Sequence, residues 1–203
     1  MRLGILISGR GSNMVALVDA VKSGDIPASE VAIVISDKPD ALGLAKAKER
    51  GVETEVVERG GRKRSEHDAE IAAKLKEKNV DLICLAGYMR LLSPQFVAEF
   101  PNRIINIHPS LLPAFPGLDA QKQAFDHGVK ITGCTVHFVD ENLDSGKIIL
   151  QRSIEVLNTD TAETLAARIL DEEHLAYVAA VKVLAAEHLR QNAAAKTQNQ
   201  TSL

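Results

Sequence analysis

Leu3-Gly4-Ile5-Leu6-Ile7-Ser8-Gly9-Arg10-Gly11-Ser12-Asn13 stands close to the start of the chain, and its reading decides the fold class. An apolar run of strand length breaks at Gly9-Arg10-Gly11, and a segment of helical period, Ser12–Lys22, follows. Strand, glycine loop and helix in that order bring unpaired N–H groups and the positive end of a helix dipole to the strand's carboxyl end. The functional reading is a phosphate cradle at Gly11, Ser12 and Asn13; a tight turn with no ligand is the plainer alternative. A dinucleotide fingerprint wants a glycine at position 14, where Met14 stands. Asp37, closing the next strand, would suit a ribose, so NAD stays open as a rival. No Gly-Lys-Ser/Thr follows, which excludes a triphosphate loop, and a small phosphomonoester fits best.

The same alternation continues outward. Leu3–Ile7, Val31–Ile35, Thr54–Val57, Leu82–Ala86 and Ile104–Ile107 read as strands, with helices at Ser12–Lys22, Ala41–Arg50, Ser65–Lys78 and Pro94–Glu99 between them. This predicts a single-domain α/β fold: an open, mostly parallel twisted sheet with helices on both faces. After Pro116 come a helix at Ala120–His127 and two strands, Thr132–Val139 and Ile148–Val156, joined only by the loop Asp140–Lys147. Two strands with no helix between them predict an antiparallel element at one sheet edge. A long helix from Thr161 to about Leu189, capped by Asp160, closes a domain spanning 1–190, and 191–203 reads as a disordered polar tail.

With 203 residues, 45% hydrophobic and 25% charged, the chain has the balance of one globular core, and its net charge of −3 carries no footprint for nucleic acid. No run approaches the ~20 apolar residues of a membrane span. Cys84 and Cys134 sit inside apolar strands and read as buried free thiols, which suits a cytoplasmic setting. His67, His127, His174 and His188 read as surface residues.

Ile104-Ile105-Asn106-Ile107-His108-Pro109-Ser110-Leu111-Leu112-Pro113 carries the chemistry. Strand side chains alternate, so Asn106 and His108 project the same way where the strand persists through both. An amide can donate to a developing oxyanion, and an imidazole can move protons near neutral pH. The acids of Val139–Gly146 are most simply a solvated turn, but Asp144 facing His108 would favour the imidazolium. A metal reading would recruit His108, His137 and Asp144 and leave Asn106 idle, so no metal is expected; His137 reads instead as a hydrogen-bonding neighbour of the site. Tyr88, Met89, Leu91 and Leu92 offer an apolar wall to a flat heterocycle, although Leu91 and Leu92 would also serve as core.

Taken together, these motifs resemble the folate-dependent formyltransferases, over nearly the whole chain to about Arg190. The resemblance rests on Gly11-Ser12-Asn13, Ala86-Gly87-Tyr88-Met89-Arg90, Asn106 through Pro113, Phe115-Pro116-Gly117, Thr135 through Glu141 and Leu143-Asp144-Ser145-Gly146. It implies a Rossmann-like formyltransferase sheet, 10-formyltetrahydrofolate as co-substrate, and a phosphoribosyl glycinamide as acceptor in purine synthesis. It further implies that Asn106, His108 and Asp144 are catalytic, and that Gly11, Ser12, Asn13 and Glu173 hold the acceptor's phosphate and ribose. Arg64, Met89, Arg90, Leu91, Leu92, Val139 and Asp140, with Asn106 and Asp144, would bind folate. No membrane or nucleic-acid partner follows from it, and self-association is expected to go no further than a weak homodimer.

The chain departs from the family pattern at Asp119 and Gln121, where histidine is common at one or the other. It departs again at Leu170, where a polar phosphate contact is sometimes found, and at Val178, where proline is usual. Family members acting on an aminoacyl-tRNA would call for a further nucleic-acid-binding domain, which the acidic balance does not favour. Those with water as acceptor would carry an extra domain before the first strand, which here opens at residue 2. From other classes, Met14 speaks against an NAD-linked oxidoreductase, and a non-catalytic nucleotide sensor would have no use for Asn106, His108 and Asp144 together.

Overall fold

The computed structural model describes residues 1–201, with side chains described through residue 194. In chain order the elements are β1 (Arg2–Ile7), α1 (Ser12–Lys22), β2 (Glu30–Ser36), α2 (Leu42–Glu49), β3 (Thr54–Val56), α3 (Arg64–Glu77) and β4 (Leu82–Leu85). They continue with α4 (Pro94–Glu99), β5 (Ile104–His108), α5 (Ala120–His127), β6 (Ile131–Phe138), β7 (Ile148–Glu155) and α6 (Ala162–Thr201). One seven-stranded sheet has the order β3-β2-β1-β4-β5-β6-β7. The first five strands in that order pair in parallel, and β6 runs antiparallel to both β5 and β7.

Period-two alternation divides the core between the two faces of the sheet. Leu3, Ile5 and Ile7 of β1, Cys84 of β4, Ile105 and Ile107 of β5 and Cys134 and Val136 of β6 pack with α1, α2 and α6. Leu6, Ile83, Leu85 and Ile104 pack on the opposite face with Ile71 and Leu75 of α3 and with Phe96 and Phe100 at α4. Thus Asn106 and His108 fall on the α3/α4 face, beyond the point where those helices cover it. Tyr177 of α6, fully buried, donates its hydroxyl to Leu85 O (3.0 Å) and Ile105 O (3.2 Å), pinning the helix to the seam between β4 and β5. Burial drives the Cys84 and Cys134 thiols up to about 12, so both are inert free thiols, as their apolar settings predict.

Several expectations are corrected. Strand β5 does not stop at Ile107 but runs through His108, because His108 pairs with Thr135 across the antiparallel ladder. Helix α6 begins at Ala162 and not at Thr161. Its cap is Thr161, whose Oγ1 accepts from Thr164 N at 3.3 Å, while Asp160 accepts instead from Leu157 N, the Thr164 hydroxyl and Arg168. The same helix continues through Thr201, where the sequence places its end near Leu189 and a disordered tail beyond it. Asn192-Ala193-Ala194-Ala195-Lys196 is polar enough for a tail, yet alanine is the strongest helix former and carries the helix on. Of that expected tail, residues 202–203 lie outside the described residues. His67 is buried rather than superficial: its Nε2 lies 2.7 Å from Val57 O and its Nδ1 3.4 Å from Asp68 Oδ1. His174 is half-buried as well, and burial lowers its pKa.

Candidate active site

The cradle forms where β1 hands over to α1. Gly11 adopts a left-handed conformation (φ 69°), and a Cβ there would fall 2.7 Å from Gly43 Cα, so α1 and α2 approach as closely as they do only because position 11 has no side chain. No side chain caps α1, and Val15 N is bonded to Gly11 O at 2.9 Å, so the first-turn N–H groups point outward to whatever binds. They open on a cavity of about 380 Å³ that Arg10, Gln121, Leu170 and Glu173 also line. Asn13, buried in its wall, donates Nδ2–H to Glu173 Oε2 at 2.7 Å, and its own Oδ1 has no partner. Burial pushes the Glu173 carboxyl above the usual carboxylate range; the Asn13 bond and the charge of Arg10 pull the other way.

On the other face of β5 side chains from three segments converge. His108 and Asn106 come from β5, His137 from β6 opposite Asn106, and Asp144 from the β6–β7 loop. Asp144 sits at φ 49°, a left-handed conformation that aspartate tolerates better than most residues. Its Oδ2 accepts Gly117 N (2.9 Å) and lies 3.4 Å from His108 Nδ1; its Oδ1 is 3.8 Å from His137 Nε2. His108 Nε2 is 2.9 Å from Phe115 O. Both nitrogens of His108 thus face oxygen atoms, one of Asp144 and one of the Phe115 backbone.

His137 is the opposite case. Burial lowers its pKa, Nδ1 donates to Phe138 O at 2.9 Å, and Nε2 is left as an acceptor 3.3 Å from Asn106 Nδ2. Asn106 therefore presents its amide nitrogen toward His137 with a second N–H to spare. Because that lone pair of His137 is engaged, the ring is a poor metal ligand; among the described residues no set of three His, Cys, Asp or Glu is arranged to hold a metal ion.

The loop after β4 is held from three sides. Ser8 Oγ accepts Met89 N (2.9 Å), the buried Asp37 carboxylate lies 3.3 Å from Arg90 Nη1, and Asp68 Oδ2 accepts Ser93 N (2.6 Å). Met89 and Leu91 project into solvent, 68% and 58% exposed, beside the site mouth, while Leu92 packs against the core. Val139 also packs there; Asp140 is exposed and accepts from Asn142 N and the Ser145 hydroxyl.

Residues 1–181 match the formyl transferase family. The chain belongs to that family. It is 41% identical to a phosphoribosylglycinamide formyltransferase of Haemophilus influenzae, over 93% of this chain and 89% of that protein. It is 48% identical over 90% of its length to a trifunctional purine biosynthetic protein, adenosine-3, of Drosophila melanogaster, of which it spans only 14%. The crystal structure of glycinamide ribonucleotide transformylase 1 from Symbiobacterium toebii superposes with a TM-score of 0.90 at 51% identity, covering 92% of this chain and 88% of that one.

Within this formyl transferase, the expected residues fall into two groups. Asn106, His108 and Asp144 meet, and so do Asn13 and Glu173 beside the Gly11–Ser12 turn. Arg64, at the start of α3, is exposed, and no hydrogen bond or ion pair described here ties it to either group. Of the two departures on α5, Gln121 lines the cavity and Asp119 does not, being exposed at the start of the helix; Leu170 lines the cavity too. Sequence reasoning missed the tethers Asp37 and Asp68. Asp37 reads there as a ribose acid, whereas the structure pairs it with Arg90. Its strand-end position was visible, but its partner lies 53 residues away.

Proposed function

We propose that this formyl transferase moves the formyl group of 10-formyltetrahydrofolate to the free amine of N1-(5-phospho-D-ribosyl)glycinamide, a step of purine synthesis. The observation that carries the reading is the meeting of His108, Asp144 and Asn106 at the end of β5, whose next residues, Ile107 and Pro109, line the anion cavity. An acceptor held by its phosphate at α1 reaches across the tip of one strand to the reacting carbon. The cavity suits a phosphoribosyl group: N–H donors of the first turn for the phosphate, and the acceptors Glu173 and Asn13 Oδ1 for hydroxyls. The exposed Met89 and Leu91 beside it suit the flat pterin and benzoyl parts of folate, and the exposed Arg64 would meet the carboxylate tail.

In the reaction the neutral amine attacks the formyl carbon, and the carbonyl π pair moves onto oxygen. Asn106, held by His137, donates its remaining N–H to that oxygen. One such donor contributes about 10²–10³ in rate. The attacking nitrogen, now positive, must lose a proton, and the folate nitrogen must gain one before the bond to it breaks; His108 lies where it can relay that proton, directly or through water. Asp144 keeps the ring oriented and balances its charge. Products are the formamide and tetrahydrofolate, with no covalent bond to the protein.

The test is a formyl-transfer assay with three acceptors in parallel. Rapid deacylation of the folate that depends on the phosphoribosyl glycinamide supports the reading. Equal or faster transfer to water, or transfer only to methionyl-tRNA, would overturn it.

A further inference from the structure

Building on that reading of the cavity, we propose that Arg10 is the cation that binds the acceptor's phosphate and selects phosphorylated over unphosphorylated acceptors. The donors of the α1 turn are neutral backbone groups, and the cavity wall carries a buried carboxylate, Glu173. A phosphomonoester approaches neutral pH with close to two negative charges. Dipoles alone would have to offset both its desolvation and its repulsion from Glu173. Among the residues lining the cavity, Arg10 is the one that carries a positive side chain. Across from it, Gln121 offers a neutral amide and Leu170 only an apolar wall, so α5 and α6 supply no positive charge there.

The geometry favours a guanidinium held ready for a ligand. The Arg10 backbone is fixed, its carbonyl accepting Lys46 Nζ at 2.9 Å and the neighbouring Gly9 carbonyl accepting Gly43 N at 3.0 Å. Its side chain is exposed and makes no hydrogen bond or ion pair among the described residues. Five unspent N–H donors on a fixed backbone, one residue before the turn, match the bidentate geometry of a phosphate oxygen pair. Its charge already reaches the cavity wall, where it draws the Glu173 carboxyl downward.

The experiment uses the full chain and measures formyl transfer against both substrates at two salt concentrations, for the wild type, Arg10→Gln and Arg10→Lys. Inorganic phosphate serves as a competitor and, separately, as a titrant in calorimetry without turnover. Arg10→Gln should raise KM for the phosphoribosyl substrate about 10- to 100-fold. It should weaken inhibition by phosphate to match and flatten the salt dependence of that KM, with kcat and the folate KM within about twofold. Arg10→Lys should recover part of the loss. An unchanged substrate KM and unchanged phosphate binding in Arg10→Gln overturn the proposal, as does a loss seen instead in Lys46→Gln alone. Should the wild type fail to turn over this acceptor, the functional reading falls, and the calorimetric phosphate titration alone decides Arg10.

Discussion

In the proposed reaction the two faces of β5 serve one step by different means. Toward α1, the cradle is made almost wholly of backbone, within about a dozen consecutive residues, and its geometry follows from one strand, one glycine turn and one helix start. Toward α3 and α4, the proposed catalytic cluster is made of side chains from three segments, brought together by the antiparallel pairing of β5 with β6 and by a left-handed loop residue. A site made of main-chain N–H groups resists point mutation, because proline alone removes one; a site made of side chains can be dismantled one group at a time. Substitutions on the two faces should therefore differ in kind, the first acting on KM and the second on kcat.

The largest effect is expected on the side-chain face. Asp144→Asn should cut kcat by about 10²–10⁴-fold, because the His108 ring loses its orienting charge, with both KM values within a few-fold. Steady-state kinetics would show it, and a kcat within tenfold of wild type would remove Asp144 from the mechanism. On the cradle face, Asn13→Asp sets a second carboxylate beside Glu173 and should raise the acceptor KM by about tenfold or more, with little change in kcat. A pure kcat defect there would erase the contrast between the two faces.

A smaller effect tests the tethers of the loop after β4. Asp37→Asn takes the charged partner from Arg90 and should raise the folate KM about threefold to tenfold while sparing the acceptor KM. Equal change in both would mean that Asp37 supports the fold as a whole. The finest test concerns His137. Its pKa is below the ordinary histidine value of 6.5, so between its folded and unfolded values the unfolded chain binds the extra proton. Stability from this group is complete above the unfolded value and declines as pH falls toward the folded one. Nitrogen-resolved NMR should find His137 neutral at pH 6.5, with the proton on Nδ1; a ring protonated there, or carrying its proton on Nε2, would deprive Asn106 of its acceptor.

The same contrast explains what could be read from the letters. Strands β1 to β4, helices α1 to α5 and the cradle announce themselves by periodicity and by glycines inside short windows, and all lie within a residue or so of where the pattern puts them. The proposed catalytic residues were legible as types in a motif, and Asn106 and His108 do share a face. Their partners were harder, because partners arrive from elsewhere: His67 looks superficial until Val57 and Asp68 close over it, and Asp37 looks like a ribose acid until Arg90 reaches it. The end of β5 was misjudged for the same reason, since Thr135 extends the strand by pairing with His108. Asp160 and Thr161 both had the chemistry of a cap, and only backbone geometry chooses between them.

The loop that presents Asp144 closes where β7 is about to begin. Gly146 is buried there against β6, and a methyl group at that position would fall 1.8 Å from Phe138 O. Whoever diversifies this loop to retarget the enzyme toward other amines has freedom at 141–143 and none at 146. A single added carbon would prise the hairpin apart and carry the aspartate away with it.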